Sequence, residues 1–159
     1  MEIAVAVNRF NVRAYGIWIN SNAEVLVSEE YIQNRRIVKF PGGGLEYGEG
    51  LTDCLFREWR EETGLEIEII RHYYTTDFFQ PSAFNQAEQV LSVYYLVRAV
   101  DADARSIPHL NGGTTSENIR FSWVSITQLS PELFTLPIDK MVAEKLAHDF
   151  GEWTLYPVS

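Results

Sequence analysis

Cysteine and positive charge are both scarce in this chain. A single cysteine among 159 residues, Cys54, excludes an internal disulfide and a cysteine-rich zinc site, and we expect it to be a small buried hydrophobe. Lysine and arginine total 13 against 22 acids, a formal net charge of −9. This balance argues against sequence-independent nucleic-acid binding, which needs many cations on the phosphates. A small phosphorylated ligand stays possible, because a divalent metal can reverse the local charge.

Long hydrophobic runs are also missing. No apolar stretch approaches the roughly 18 residues of a membrane span, so we expect no membrane partner. The first ten residues, MEIAVAVNRF, lack the basic start of a secretory signal, and we predict a cytoplasmic protein. The length fits one domain, predicted over residues 1–159, and 46% hydrophobic residues are ordinary for a globular chain.

The chain alternates strand-like and helical segments. Strands are predicted at 12–20, 23–29, 37–40, 66–79, 88–100 and 119–125, with a turn at 81–85 and a polar loop at 101–117. The glycines at 42–44 are expected to break regular structure before a helix at 51–63, which Gly64 ends. A last helix begins at Pro137 and runs to about Phe150, with Gly151 as its stop. This mixture predicts an α+β fold, an α/β/α sandwich with a mixed sheet.

Negative charge is concentrated between residues 42 and 68, which carry −6 of the net −9. On a helix, Glu58, Glu61 and Glu62 share about one third of the circumference, and Glu62 lies in the angular range of the apolar stripe. Like charges at these spacings repel each other, unless a cation lies between them. Hard carboxylate ligands suit Mg²⁺ or Mn²⁺, whereas the alternative is a solvated helix face. The glycines before the helix allow a backbone carbonyl to approach the ion.

The segment GGLEYGEGLTDCLFREWREETGL, residues 43–65, resembles the Nudix box. That box reads G, five residues, E, seven residues, then R-E-U-x-E-E-x-G-U with U bulky and apolar. Every fixed position is filled, although the family more often has Leu, Ile or Val where this chain has Trp59. The resemblance implies the Nudix fold and hydrolysis of a nucleoside diphosphate linked to another group.

The resemblance also implies a set of site residues. The expected metal ligands are Glu58, Glu61, Glu62 and the backbone carbonyl of Gly42, with Mg²⁺ or Mn²⁺ as cofactor. Arg57 resembles the residue that orients the glutamates, and either Glu58 or Glu61 is expected to accept the proton of the attacking water. Glu117 resembles a fourth carboxylate from outside the box, and the alternative is an ordinary loop acid. Glu88 is a weaker candidate for that position.

The substrate stays open at this point. The candidates are a nucleoside triphosphate, ADP-ribose or a nucleotide sugar. Pro81, sixteen residues after the box, resembles a marker of the ADP-ribose-cleaving subgroup, or is simply a turn proline. Two other functions are possible on this fold, a module that senses a nucleotide without cleaving it and an isoprenyl diphosphate isomerase. A homodimer is possible.

Overall fold

The computed structural model describes residues 6–100 and 119–153. Its strands are β1 (Arg9–Trp18), β2 (Glu24–Ile32), β3 (Arg35–Lys39), β4 (Gly42–Gly44), β5 (Ile67–Thr75), β6 (Glu88–Ala99) and β7 (Arg120–Ser125). Its helices are α1 (Leu51–Thr63) and α2 (Pro137–Trp153), preceded by two short 3₁₀ turns, Ile126–Gln128 and Pro131–Leu133. The predicted polar loop and Glu117 lie outside the described residues.

The strands form two sheets. One has the order β4-β1-β6-β5, in which β1 and β6 run parallel while β4 and β5 are antiparallel to their neighbours. The other is antiparallel, with the order β3-β2-β7. The strands predicted at 66–79 and 88–100, on either side of a turn, correspond to β5 and β6, which pair with each other.

The glycine segment corrects one prediction. Gly42–Gly44 do not break regular structure but form β4, in which Gly42, Gly43 and Gly44 pair with Tyr15, Ala14 and Arg13 of β1. Weak strand propensity is overridden here by a partner strand, because three residues without side chains fit closely against its backbone. A Cβ at Gly42 would lie 2.1 Å from the carbonyl oxygen of Ala14, and the φ angle of Gly42 is +151°.

Helices cover opposite sides of the sheets. Along β1, Tyr15 and Ile17 pack in one core cluster with α2, which contributes Ile138, Val142, Ala143 and Leu146. Ala14 and Trp18 point to the other side and pack with α1, which contributes Cys54, Leu55 and Trp59. Alternate residues of a strand face opposite ways, so each side of the sheet layer has its own helix. The predicted α+β sandwich is confirmed, and Cys54 is buried as expected.

The two helix ends behave differently. Gly64 ends α1 in the left-handed conformation at φ +74°, as predicted, and its N–H donates to the carbonyl of Arg60. Gly151 does not end α2, which continues to Trp153, so that stop is corrected. A glycine inside the last turn costs the helix about 1 kcal/mol relative to alanine, which is not enough to terminate it.

Trp59 is accommodated by a glycine on β1. The indole is fully buried, and a Cβ at Gly16 would lie 2.7 Å from its Nε1 atom. Trp18 packs against the same ring at 6.3 Å between centroids. The unusual tryptophan at this position of the predicted box is therefore matched by a missing side chain on the facing strand.

Within the described ranges, no helix has the length and apolar character needed to cross a bilayer. The cytoplasmic location stays a prediction.

We predict that Gly16→Ala destabilises the protein by about 1–3 kcal/mol, because the added methyl overpacks the contact with Trp59. In a Trp59→Leu background the same change is expected to cost less than about 0.5 kcal/mol, since the indole is gone. Urea unfolding followed by far-UV circular dichroism measures the four free energies of the double-mutant cycle. Additive effects would show that the two residues do not interact.

Candidate functional site

Arg57 connects helix α1 to the loop and strand before it. Its Nη2 donates to the carbonyl of Gly44 at 3.0 Å, and its guanidinium binds both carboxylate oxygens of Glu49, at 2.7 and 3.0 Å. Its Nη1 reaches Glu58 at 3.0 Å and Glu61 at 3.4 Å. Arginine suits this position because its planar group has five donors in a fixed geometry. The residue therefore fixes the side chains of two predicted metal ligands.

Charge on these groups is mutually stabilised. The hydrogen bonds from Arg57 lower the pKa of Glu49 to about 2, and the backbone N–H of Glu46 donates to the same carboxylate at 2.8 Å. Glu49 in turn raises the pKa of Arg57. Glu49 stands just before the helix, where the dipole also favours a negative charge.

Gly43 lets the carboxylate of Glu58 lie against the backbone of β4. A Cβ at Gly43 would stand 2.4 Å from the carboxylate carbon and 2.5 Å from its nearer oxygen. Any other residue would displace this carboxylate, so the position requires a glycine for close approach rather than for its φ angle.

Glu62 is buried beside Lys39, the last residue of β3. Their side chains are 8% and 2% exposed, and the ammonium nitrogen lies 3.9 Å from Oε1 of Glu62. Burial raises the pKa of Glu62 to about 7, although Lys39 opposes this. Burial also acts to lower the pKa of Lys39, but Glu62 and Glu30 outweigh it and the net shift is upward. The predicted position of Glu62 on the apolar side of α1 is thus confirmed.

The donor set has the chemistry of a site for a hard divalent cation. Glu58, Glu61 and Glu62 lie together on α1 beside the glycine strand, and Oε2 of Glu62 is buried with no hydrogen-bond partner among the described residues. One oxygen of each glutamate, however, faces a cationic side chain: Arg57 for Glu58 and Glu61, and Lys39 for Glu62. In residues 6–100 and 119–153, no three carboxylate, histidine or cysteine side chains converge around one ion position. A metal ion would therefore need these carboxylates to reorient so that their free oxygens converge on it.

The other predicted metal ligands are Gly42, Glu88 and Glu117. The carbonyl of Gly42 accepts a hydrogen bond from Lys39 at 3.1 Å. Glu88 accepts one from Asn11 at 3.3 Å, at the start of β6. Glu117 lies outside the described residues and stays a prediction.

A pocket of about 490 Å³ is lined by Lys39, the residue that also contacts Glu62. Its wall combines apolar and charged side chains, among them Ile32, Phe84, Leu136, Arg13 and Asp139. Such a mixture of apolar walls and a few polar groups is typical of a small-molecule site.

Comparison with known proteins agrees with the box at residues 43–65. The family model of the NUDIX domain matches residues 10–145. The chain belongs to the Nudix family. This match confirms the predicted family.

Relatives of this Nudix chain include longer proteins. It is 28% identical over 137 residues to the mouse protein "Nucleoside diphosphate-linked moiety X motif 6", covering 83% of this chain and 40% of the relative. The human protein of the same name is 26% identical over 144 residues, covering 87% and 42%. The chain therefore spans about two-fifths of the length of these curated relatives.

Solved structures share the Nudix fold. A MutT protein from Methanosarcina mazei has a TM-score of 0.68 at 21% identity, covering 89% of this chain and 95% of that one. An ADP-ribose pyrophosphatase from Streptococcus suis has a TM-score of 0.58 at 22% identity, covering 86% and 87%. At these identities the similarity establishes the fold.

Three pocket residues were not found from the sequence. Lys39 interrupts an otherwise apolar run from Ile37 to Phe40, and a lysine inside such a run is a usable signal of an inward-facing charge. Arg13 and Asp139 give no comparable signal, because only the tertiary fold brings β1 and the start of α2 to one pocket. There the hydroxyl of Tyr94 donates to Asp139 at 2.6 Å.

We predict that Asp139→Asn gains stability relative to the wild-type protein as the pH rises from about 4 to 7. Burial raises the pKa of Asp139 from 3.8 to about 6, so the folded protein binds this proton more tightly than the unfolded chain. Its contribution to the free energy of unfolding is present at low pH and is lost on approaching pH 6, by about 2–3 kcal/mol. Asparagine does not titrate, and it still accepts the hydrogen bond from Tyr94.

Urea unfolding at several pH values tests this difference. Asp77→Asn is the matched control, because this exposed carboxylate also accepts a tyrosine hydroxyl, that of Tyr74, at 3.0 Å. A stability difference between Asp139→Asn and wild type that stays constant with pH would contradict the prediction.

Proposed function

We propose that this protein is a metal-dependent hydrolase that cleaves a phosphoanhydride bond in a nucleoside diphosphate linked to another moiety. One observation carries the proposal: Glu58, Glu61 and Glu62 lie on one side of α1 beside β4, and Arg57 positions two of them. A solvated helix face would not bury Glu62 at 8% exposure.

The adjoining pocket supports a nucleotide as substrate. Ile32, Phe84 and Leu136 offer apolar surface for a base or sugar, while Arg13 and Lys39 offer positive charge for phosphates. Lys39 contacts Glu62 and lines the pocket, so the bound phosphates would lie next to the carboxylate cluster.

Glu58, Glu61 and Glu62 are the residues that would hold Mg²⁺ or Mn²⁺, with the carbonyl of Gly42 and, from outside the described residues, Glu117. When bound, divalent ions offset the charge of the phosphoanhydride and acidify the attacking water. Arg57 keeps Glu58 and Glu61 in place through its hydrogen bonds to both carboxylates.

Glu58 or Glu61 acts as the general base in this proposal. The carboxylate takes a proton from water, the water oxygen bonds to phosphorus, and the phosphorus–oxygen bond of the anhydride breaks to release a phosphate leaving group. Glu58 lies against Gly43 with a fixed orientation, whereas Glu61 is 52% exposed. Glu58 is 15% exposed.

The candidate substrates are nucleoside triphosphates, ADP-ribose and nucleotide sugars. Pro81 lines the pocket, and the structurally similar Streptococcus suis protein is named an ADP-ribose pyrophosphatase; both support testing ADP-ribose first. The relatives' name supports the wider class of nucleoside diphosphate-linked moieties.

We expect the purified protein with Mg²⁺ or Mn²⁺ to release phosphate, pyrophosphate or a nucleoside monophosphate from at least one compound of a panel. The panel contains nucleoside triphosphates, ADP-ribose, dinucleoside polyphosphates and nucleotide sugars. Removal of the general base lowers kcat by about 10²–10⁴-fold, so we expect such a loss in Glu58→Gln or Glu61→Gln.

Glu144→Gln is the matched control, because Glu144 is an exposed helical glutamate on α2. It is expected to keep wild-type activity. Full metal-dependent activity in both Glu58→Gln and Glu61→Gln would refute the assignment of the base. Thermal stabilisation by a nucleotide with no turnover of any compound would favour the sensing function instead.

A further inference from the structure

Lys39 places a buried ammonium group among oxygens that a metal ion would use. Its Nζ atom lies 3.1 Å from the carbonyl oxygen of Gly42, 3.4 Å from Oε1 of Glu30 and 3.9 Å from Oε1 of Glu62. The side chain is 2% exposed, so these oxygens replace water around the charge. The ammonium thus occupies a cation position built by the protein.

Two of these three oxygens belong to the expected metal ligands. The carbonyl of Gly42 and the carboxylate of Glu62 each direct electron density toward Lys39, as they would toward a divalent ion. A monovalent ammonium and a divalent ion repel each other strongly at such separations in a buried site. They therefore cannot both be held at short range by the same pair of oxygens.

Glu62 retains an unused oxygen. Its Oε2 atom is buried and finds no hydrogen-bond partner in the described part of the chain, whereas Oε1 faces Lys39. An unsatisfied buried carboxylate oxygen is costly, and a second cation would satisfy it. This oxygen is independent of the Lys39 contacts and indicates that the position can accept a stronger cation than the ammonium.

We propose that Lys39 is a positioning residue that competes with a divalent ion for the carbonyl of Gly42 and the carboxylate of Glu62. The inference rests on the proposed function, because that function assigns these two groups to the metal. Lys39 keeps the buried carboxylate compensated and lowers the affinity of the site for a divalent ion. Its side chain also lines the pocket, 5.7 Å from the centroid of the Tyr15 ring, so an ammonium released from Glu62 can face a bound phosphate.

The test is the affinity for Mn²⁺ alone, measured by the electron paramagnetic resonance signal of the free ion without nucleotide. Lys39→Met removes the ammonium but keeps the length of the side chain. We expect it to bind Mn²⁺ more tightly than the wild-type protein, by on the order of tenfold or more, because a nearby charge of the same sign is gone. A residue that merely supported the fold would weaken binding when replaced.

Lys140→Met is the matched control for the loss of one positive charge. Lys140 lies on α2 and donates to the carbonyl of Pro131 at 3.2 Å, and its replacement is expected to leave Mn²⁺ affinity unchanged. If Lys39→Met does not fold, as judged by circular dichroism, the variant Lys39→Met/Glu30→Gln decides. It removes one charge of each sign, and tighter Mn²⁺ binding is again expected.

Unchanged or weaker Mn²⁺ binding in the folded variant would overturn the inference. If the wild-type protein binds Mn²⁺ and hydrolyses a nucleotide while Lys39→Met is no tighter, only this inference fails. A wild-type protein that neither binds Mn²⁺ nor hydrolyses any compound of the panel would overturn both proposals.

Discussion

The guanidinium of Arg57 links three parts of the chain: the loop before α1, strand β4 and the acidic face of α1. It joins Glu49 before α1, the carbonyl of Gly44 on β4, and Glu58 and Glu61 on the helix. Without this group, the carboxylates of Glu49, Glu58 and Glu61 would lie near one another with no cation between them and would repel. This one side chain therefore links the loop, the strand and the acidic face of α1.

Glycines set how closely the helix approaches the sheet. Three consecutive residues of α1 each meet a strand at a glycine: Arg57 binds the carbonyl of Gly44, Glu58 lies against Gly43, and Trp59 packs on Gly16. A Cβ at Gly43 or Gly16 would come within 3.0 Å of the facing side chain. The register between α1, β1 and β4 is thus fixed by sterics on the same turn that carries the carboxylates. The contacts that pack α1 against the sheet therefore also set the positions of the site residues.

Much of this site follows from the sequence because its parts are local. The helix at 51–63, its end at Gly64 and the shared face of the three glutamates depend on spacings within a single turn or two. The strand at Gly42–Gly44 was not predicted, since glycine has little strand propensity and its partner β1 is almost thirty residues away. Arg13 and Asp139 were missed for the same reason: their roles depend on which strands and helices meet around the pocket.

Two cationic side chains, Arg57 and Lys39, compensate the carboxylate charges of α1. Arg57 is partly exposed and binds Glu58 and Glu61 from the solvent side, where water lowers the cost of separating the pairs. Lys39 is buried with Glu62, where an unpaired carboxylate would be expensive. Replacing Arg57 by an incoming ion at Glu58 or Glu61 therefore costs less free energy than replacing Lys39 at Glu62. A cation approaching from solvent would meet Glu61 and Glu58 first, and would engage Oε1 of Glu62 only if Lys39 gives way.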